Sequence, residues 1–64
     1  MEWAIVDKKG YVEKIIEEEG TVIVENDDGV HQYYVNLNQV FVEDGQDLYV
    51  NQVIGAWVDY PDYN

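Results

Sequence analysis

Glycine cuts this chain at near-regular intervals. Gly10, Gly20, Gly29, Gly45 and Gly55 leave segments of about ten residues, the turn spacing of a small sandwich or barrel. Three of the cuts carry turn chemistry: Lys8-Lys9-Gly10, Asn26-Asp27-Asp28-Gly29 and Glu43-Asp44-Gly45. Asp, Asn and Gly tolerate the left-handed backbone that tight turns need. Asp28-Gly29 between two β-rich runs is a hairpin signal.

The runs between the turns read as strands over residues 3–6, 11–16, 21–25, 30–36, 39–43, 48–50 and 53–59. Valine is the dominant apolar residue, and β-branched side chains suit a pleated, half-buried surface. Residues 11–19 could instead form a helix, with Glu13, Lys14, Glu17 and Glu18 on one solvated face. The β-forming Tyr11, Val12, Ile15 and Ile16 favour a strand. The expected fold is all-β: a small flattened barrel or barrel-sandwich of six to seven short strands, mostly antiparallel. One domain spans 1–59. Pro61 stops the last strand, and 60–64 forms an extended C-terminal tail.

With 64 residues and no Cys, no disulfide staples this fold, and a chain of this size buries only about 60% of its unfolded surface. The core must therefore come from apolar side chains: Trp3, Ile5, Val6, Val12, Ile15, Ile16, Val22, Ile23, Val24, Val40, Phe41, Val42, Val50, Val53, Ile54 and Trp57. That supply argues against disorder.

Charge narrows the partners. Fourteen Asp and Glu stand against three Lys and no Arg, for a net charge of −11. Lys8, Lys9 and Lys14 all lie in the first quarter, and no cation follows. Affinity for phosphate comes from Lys and Arg, so direct binding of nucleic acid or of an anionic membrane is not expected. The natural complement is a protein with a basic surface; the bland alternative is solubility alone. No apolar run reaches the roughly 20 residues of a membrane span. Met1-Glu2-Trp3-Ala4 does not resemble a signal peptide, so a cytoplasmic location is expected.

Catalytic chemistry finds little support. The chain has no Ser and no Cys, and Thr21 is its one aliphatic hydroxyl. Carboxylates abound, but acid–base work needs one held in a cleft with a shifted proton affinity. No phosphate-cradling glycine loop occurs. Asn26-Asp27-Asp28 offers hard oxygens to calcium, without the six or more ligands that calcium takes. His31 could act as a pH switch; a plain surface histidine is the simpler reading. The expectation is no enzyme, no cofactor and no metal.

From Gly20 to Gly55 the sequence resembles the lysostaphin-type (LytM-like) zinc metallopeptidase domain. That family carries a G-x-V-x-I-x-x-x-D-G hairpin, then Y-x-H-L, then V-x-x-G-Q-x-V-x-x-G-Q-x-I-G. Here Gly20-Thr21-Val22-Ile23-Val24 with Asp28-Gly29 resembles the hairpin, and Gly10-Tyr11-Val12 the strand before it. Tyr34-Val35-Asn36-Leu37 stands in place of Y-x-H-L. Val42-Glu43-Asp44-Gly45-Gln46-Asp47-Leu48-Tyr49-Val50-Asn51-Gln52-Val53-Ile54-Gly55 follows the last motif, with Asn51 for its second glycine. Biotinyl- and lipoyl-carrier domains share this hammerhead-like repeat, so the resemblance speaks first for a barrel-sandwich hybrid fold. The family's catalytic His falls on Asn36, and neither an H-x-x-x-D nor an H-x-H segment is present. No lysine follows Lys14 to serve as a carrier attachment point. The resemblance implies a truncated, metal-free relative. Without it, the same strands suit an SH3-like or other small barrel.

The expected site is a surface. Glu17, Glu18, Glu19, Asp27, Asp28, Glu43, Asp44 and Asp47 are its carboxylates, with at least two clusters adjoining to form one negative field. Asp27-Asp28 and Glu43-Asp44 are expected in hairpin turns. Tyr33 and Tyr49 are candidate aromatic anchors, of the kind that interfaces favour. Tyr60 and Tyr63 beside Asp59 and Asp62 repeat the theme. Tyr33 and Tyr34 should point to opposite faces of one strand. The expected function is a non-enzymatic acidic binding protein, in its sharpest form an inhibitor that occupies a nucleic-acid-binding groove as a DNA mimic. Small acidic proteins of viral or mobile-element origin supply the analogy. The rival is a degenerate cell-wall metallopeptidase-like module that binds peptide or scaffolds without activity. A third reading is a subunit that completes its core by homo-oligomerisation.

Overall fold

Alternating apolar and polar residues between turns build strands, and the computed structural model, which describes residues 2–58, contains strands without helix. They are β1 (Trp3–Ile5), β2 (Gly10–Ile16), β3 (Thr21–Asn26), β4 (Gly29–Val40), β5 (Asp47–Leu48) and β6 (Val53–Trp57). All pairings are antiparallel. The strands form one sheet in the order β1-β6-β4-β3-β2-β5, curled into a half-barrel. The expected all-β class is what the chain adopts, and residues 10–16 are strand rather than helix.

Two expected strands are one. Residues 30–36 and the start of 39–43 belong to the long β4. Its pairing with β6 jumps from Val35↔Trp57 to Val40↔Gly55, so the intervening residues bulge out of the ladder. The Asn36 Oδ1 accepts the Asn38 N–H at 3.0 Å within that bulge. This local turn, made by Asn36 and Asn38, interrupts the ladder of β4 without ending the strand. The residues beyond Val58, including the expected tail, lie outside the described part.

The chain from Val42 to Gln52 turns twice in the same way. Val42 and Leu48 are buried. After each comes a turn, Glu43 to Gln46 and then Tyr49 to Gln52. In the first, the Gln46 N–H donates to the Glu43 carbonyl at 3.1 Å, and the Gln46 Oε1 accepts the Glu43 N–H at 3.0 Å. In the second, Gln52 does both for Tyr49, at 3.1 Å and 2.8 Å. Each turn is then pinned to a buried valine. Gly45 donates to the Val12 carbonyl while the Val12 N–H donates to Gln46; Asn51 and Gln52 repeat this with Val6.

The repeat demands a left-handed residue at its third turn position, with φ of 80° at Gly45 and 66° at Asn51. Glycine adopts this freely, and Asn is among the few other residues that visit it. The departure of Asn51 from the motif is thus conformationally conservative. We expect Asn51→Gly to leave stability within about 0.5 kcal/mol. Asn51→Val should cost about 1–2 kcal/mol, because a β-branched residue is an outlier there. Urea unfolding of both variants checks this.

The interior is small and valine-rich: Val6, Val12, Val22, Val24, Val35, Val42, Leu48 and Ile54, with Ala4 and Ala56. Ile15, Tyr33, Val40 and Trp57 close over it. The expected core needs correction at four places. Trp3, Ile5, Phe41 and Val50 are about half exposed. On β1 the inward position between two large residues goes to Ala4, whose methyl group is fully buried. Val35, Leu48, Ala4 and Ala56 complete the interior instead.

Candidate acidic binding surface

Turns at the sheet ends carry most of the carboxylates, and the curl of the sheet decides which turns meet. The link after β2 is a tight turn in which Gly20 N–H donates to the Glu17 carbonyl at 3.2 Å. The turn after β4 comes back to it, since β4 hands the chain to β5 and β5 pairs with β2. Asp44 Oδ1 accepts the backbone N–H of Ile15 at 2.8 Å and ties the two together. Glu17, Glu18, Glu43 and Asp44 thereby rim one shallow depression of about 580 Å³, floored by Ile15 and Val42. No lysine lines it. The Glu43-Asp44 turn is not a hairpin turn, because β4 and β5 are not paired with each other.

A second concavity lies toward the opposite ends of β2 and β3. It is a groove of about 460 Å³ between Lys9, Gly10 and Tyr11, then Glu25, Asn26 and Asp27, then Asp47, Leu48 and Tyr49. Tyr11 stands opposite Glu25 across the β2–β3 ladder, and its O–H donates to Glu25 Oε2. That hydrogen bond to a carboxylate, with burial a lesser cause, raises the phenol above the usual tyrosine range.

The Asp27-Asp28 pair forms the two-residue turn of the β3–β4 hairpin, closed by Asn26↔Gly29. The centre of the turn is one residue earlier than Asp28-Gly29, and the positive φ falls on Gly29. Asn26 Oδ1 caps the Asp28 N–H at 2.8 Å and meets His31 Nε2 at 3.3 Å. Asp28 Oδ2 pairs with Lys8 Nζ at 2.6 Å. The hydrogen bond and charge of Lys8 hold the Asp28 carboxyl below its ordinary range. These oxygens are committed to protein partners, and among the described residues no three His, Asp or Glu side chains converge to hold a metal ion. His31 is half-buried beside Val24 rather than a free surface residue.

The expected site residues thus divide. Glu17, Glu18, Glu43 and Asp44 come together; Asp27, Asp47 and Tyr49 come together elsewhere. Asp28 is partly neutralised by Lys8, and Glu19 is exposed but lines neither concavity. The Tyr33 ring stacks on Trp57, with centroids 5.7 Å apart, and packs half-buried against the core. Tyr34, its neighbour on the opposite face, is the exposed one. Asp59, Tyr60, Asp62 and Tyr63 lie outside the described residues.

Sequence reasoning missed Tyr11, Glu25 and Lys9. Their meeting depends on a β-bulge between Val12 and Lys14; without it Tyr11 would face Asn26. It also missed an exposed aromatic pair, Trp3 and Phe41, with ring centroids 5.6 Å apart and tilted by 45°. Comparison with known protein families, with curated proteins and with solved structures finds no match for the chain.

Proposed function

We propose that this chain is a non-enzymatic acidic binding protein whose carboxylates engage a basic, nucleic-acid-binding surface of a partner protein in place of phosphates. One observation carries the reading. Glu17, Glu18, Glu43 and Asp44, from two turns far apart in sequence, rim a single depression without a lysine. Like charges gathered without a counter-ion raise the folding free energy, and their use lies in attracting a complementary surface. The single ion pair among the described residues, Lys8 with Asp28, lies in the other loop cluster. As for the degenerate metallopeptidase module, Asn36 uses its carboxamide oxygen to close a turn in its own strand. That is a local structural task, and neither concavity contains it.

The test is a charge-reversed variant, Glu43→Lys with Asp44→Lys, against wild type immobilised at equal density. Capture of the partner should fall at least about tenfold and wild-type capture should weaken steeply with salt, as interfaces steered by charge do. Duplex DNA should release the captured partner, because both would occupy the same basic surface. Equal capture by the variant, with its fold intact by circular dichroism, or failure of DNA to compete, would sink the proposal.

A further inference from the structure

We infer that the groove between β2, β3 and β5 seats an arginine side chain of the partner, the guanidinium lying between the Tyr11 and Tyr49 rings and the carboxylates of Glu25, Asp27 and Asp47. This deepens the reading above and rests on it for the partner's basic character. The groove differs from the depression in having aromatic walls. Tyr11 and Tyr49 both line it, and Tyr49 is 76% exposed. An exposed aromatic ring at a concave site is a ready face for a cation.

The charge of the groove favours a cationic guest. Three carboxylates line it against one lysine, Lys9, and Lys9 makes no ion pair with any described residue. Glu25 is held in place by the Tyr11 hydroxyl on Oε2. Its Oε1 has no described side-chain partner and remains to accept a donor. Glu25 and Asp47 stand directly opposite Tyr11 on β3 and β5, so these carboxylates flank its ring on one face of the sheet, and Asp27 follows in the hairpin turn.

Arginine fits this set better than lysine. Its guanidinium is planar, stacks on aromatic faces and offers five donors in a fork that matches carboxylates. An ammonium is a strongly hydrated point charge that gives up more hydration to lie against a ring. The volume of about 460 Å³ also admits the aliphatic stem, which can rest on the phenol rings beside Leu48.

The probe is the capped tripeptide acetyl-Gly-Arg-Gly-amide, titrated into the 64-residue chain by NMR, with lysine and citrulline versions as controls. Amide shifts should concentrate at Gly10, Tyr11, Asp47 and Tyr49. The lysine peptide should bind more weakly, and the uncharged citrulline peptide should not bind measurably. Tyr49→Ala should weaken arginine binding about threefold to fivefold, the range of an exposed cation–π contact. Asp47→Asn should weaken it by a similar factor. Tyr49→Phe keeps the ring and should retain binding. Glu43→Gln with Asp44→Asn, in the other depression, should change it less than twofold. Shifts centred on Glu17 and Glu43, equal binding of the lysine peptide, or indifference to Tyr49→Ala would each overturn the inference. The peptide assay needs no partner. A groove that binds arginine in a protein whose capture is not competed by DNA leaves the groove standing and sinks the polyanion reading. The reverse pattern sinks the groove alone.

Discussion

Truncating Ile54 to alanine will remove most of this protein's folding stability. Ile54 is the largest fully buried side chain, with no exposed surface. It sits on β6 between the pairings to β1 and β4. Its removal forfeits transfer free energy and leaves a cavity that packed strands cannot fill, together about 2–5 kcal/mol. A single core in a domain below about 70–80 residues rarely supplies more than 3–5 kcal/mol. The two figures are of equal size, so the variant should be largely unfolded at physiological temperature. Ile5 provides the matched control. It is the same residue type on the adjacent strand, but 48% exposed, and Ile5→Ala should cost less than about 1.5 kcal/mol, roughly half of a full side-chain burial. Urea unfolding followed by circular dichroism compares them. Similar midpoints for the two variants would show that the interior is not where the structure places it.

The second large effect is expected at Gly10. A methyl group there would meet the Glu25 carbonyl oxygen closer than any real side chain sits, with the Asn26 Cβ 3.1 Å away. Gly10 is also paired on both sides, with Asn26 of β3 and Leu48 of β5. β2 therefore cannot move away from β3 at this point without displacing β5. Replacing glycine by alanine at a permissive site stabilises by about 0.4–1 kcal/mol through the unfolded state. Here overpacking of about 1–3 kcal/mol opposes it, and backbone contact on a doubly paired strand puts the cost at the upper end. A net loss of about 2 kcal/mol should lower the melting temperature by roughly 15 °C in a domain of this size. Separation of β2 from β3 would also move Tyr11 off Glu25. Tyrosine ionisation followed by ultraviolet absorbance should then show one late-titrating phenol fewer, with that of Tyr33, raised by burial, remaining. A Gly10→Ala variant that melts with wild type would mean that β2 and β3 approach less closely than described.

Much of the architecture is local chemistry and can be read directly. Glycines at turn spacing, valine-rich runs and the Asp27-Asp28 pair specify strands and a hairpin without reference to the rest of the chain. The Gly45 and Asn51 positions belong to the same class. Both side chains tolerate a left-handed backbone, and both turns form inside a few residues. The acidic character of the surface is likewise a property of composition.

What the sequence could not specify is pairing at a distance. Which turn meets which follows from the sheet order, in which β5 leaves β4 to join β2; that exchange brings Asp44 to Ile15 and makes one depression out of two turns. The bulge between Val12 and Lys14 shifts by one residue every pair that lies beyond it from the β2–β3 turn, and so sets Tyr11 against Glu25. Burial is decided the same way. Ala4 is inside while Trp3 and Ile5 are half outside, because the space beneath an edge strand is set by its neighbour and not by its own hydrophobicity. Side chains report their preference for water, but only the curled sheet, by closing some faces and leaving others open, decides whether that preference is met.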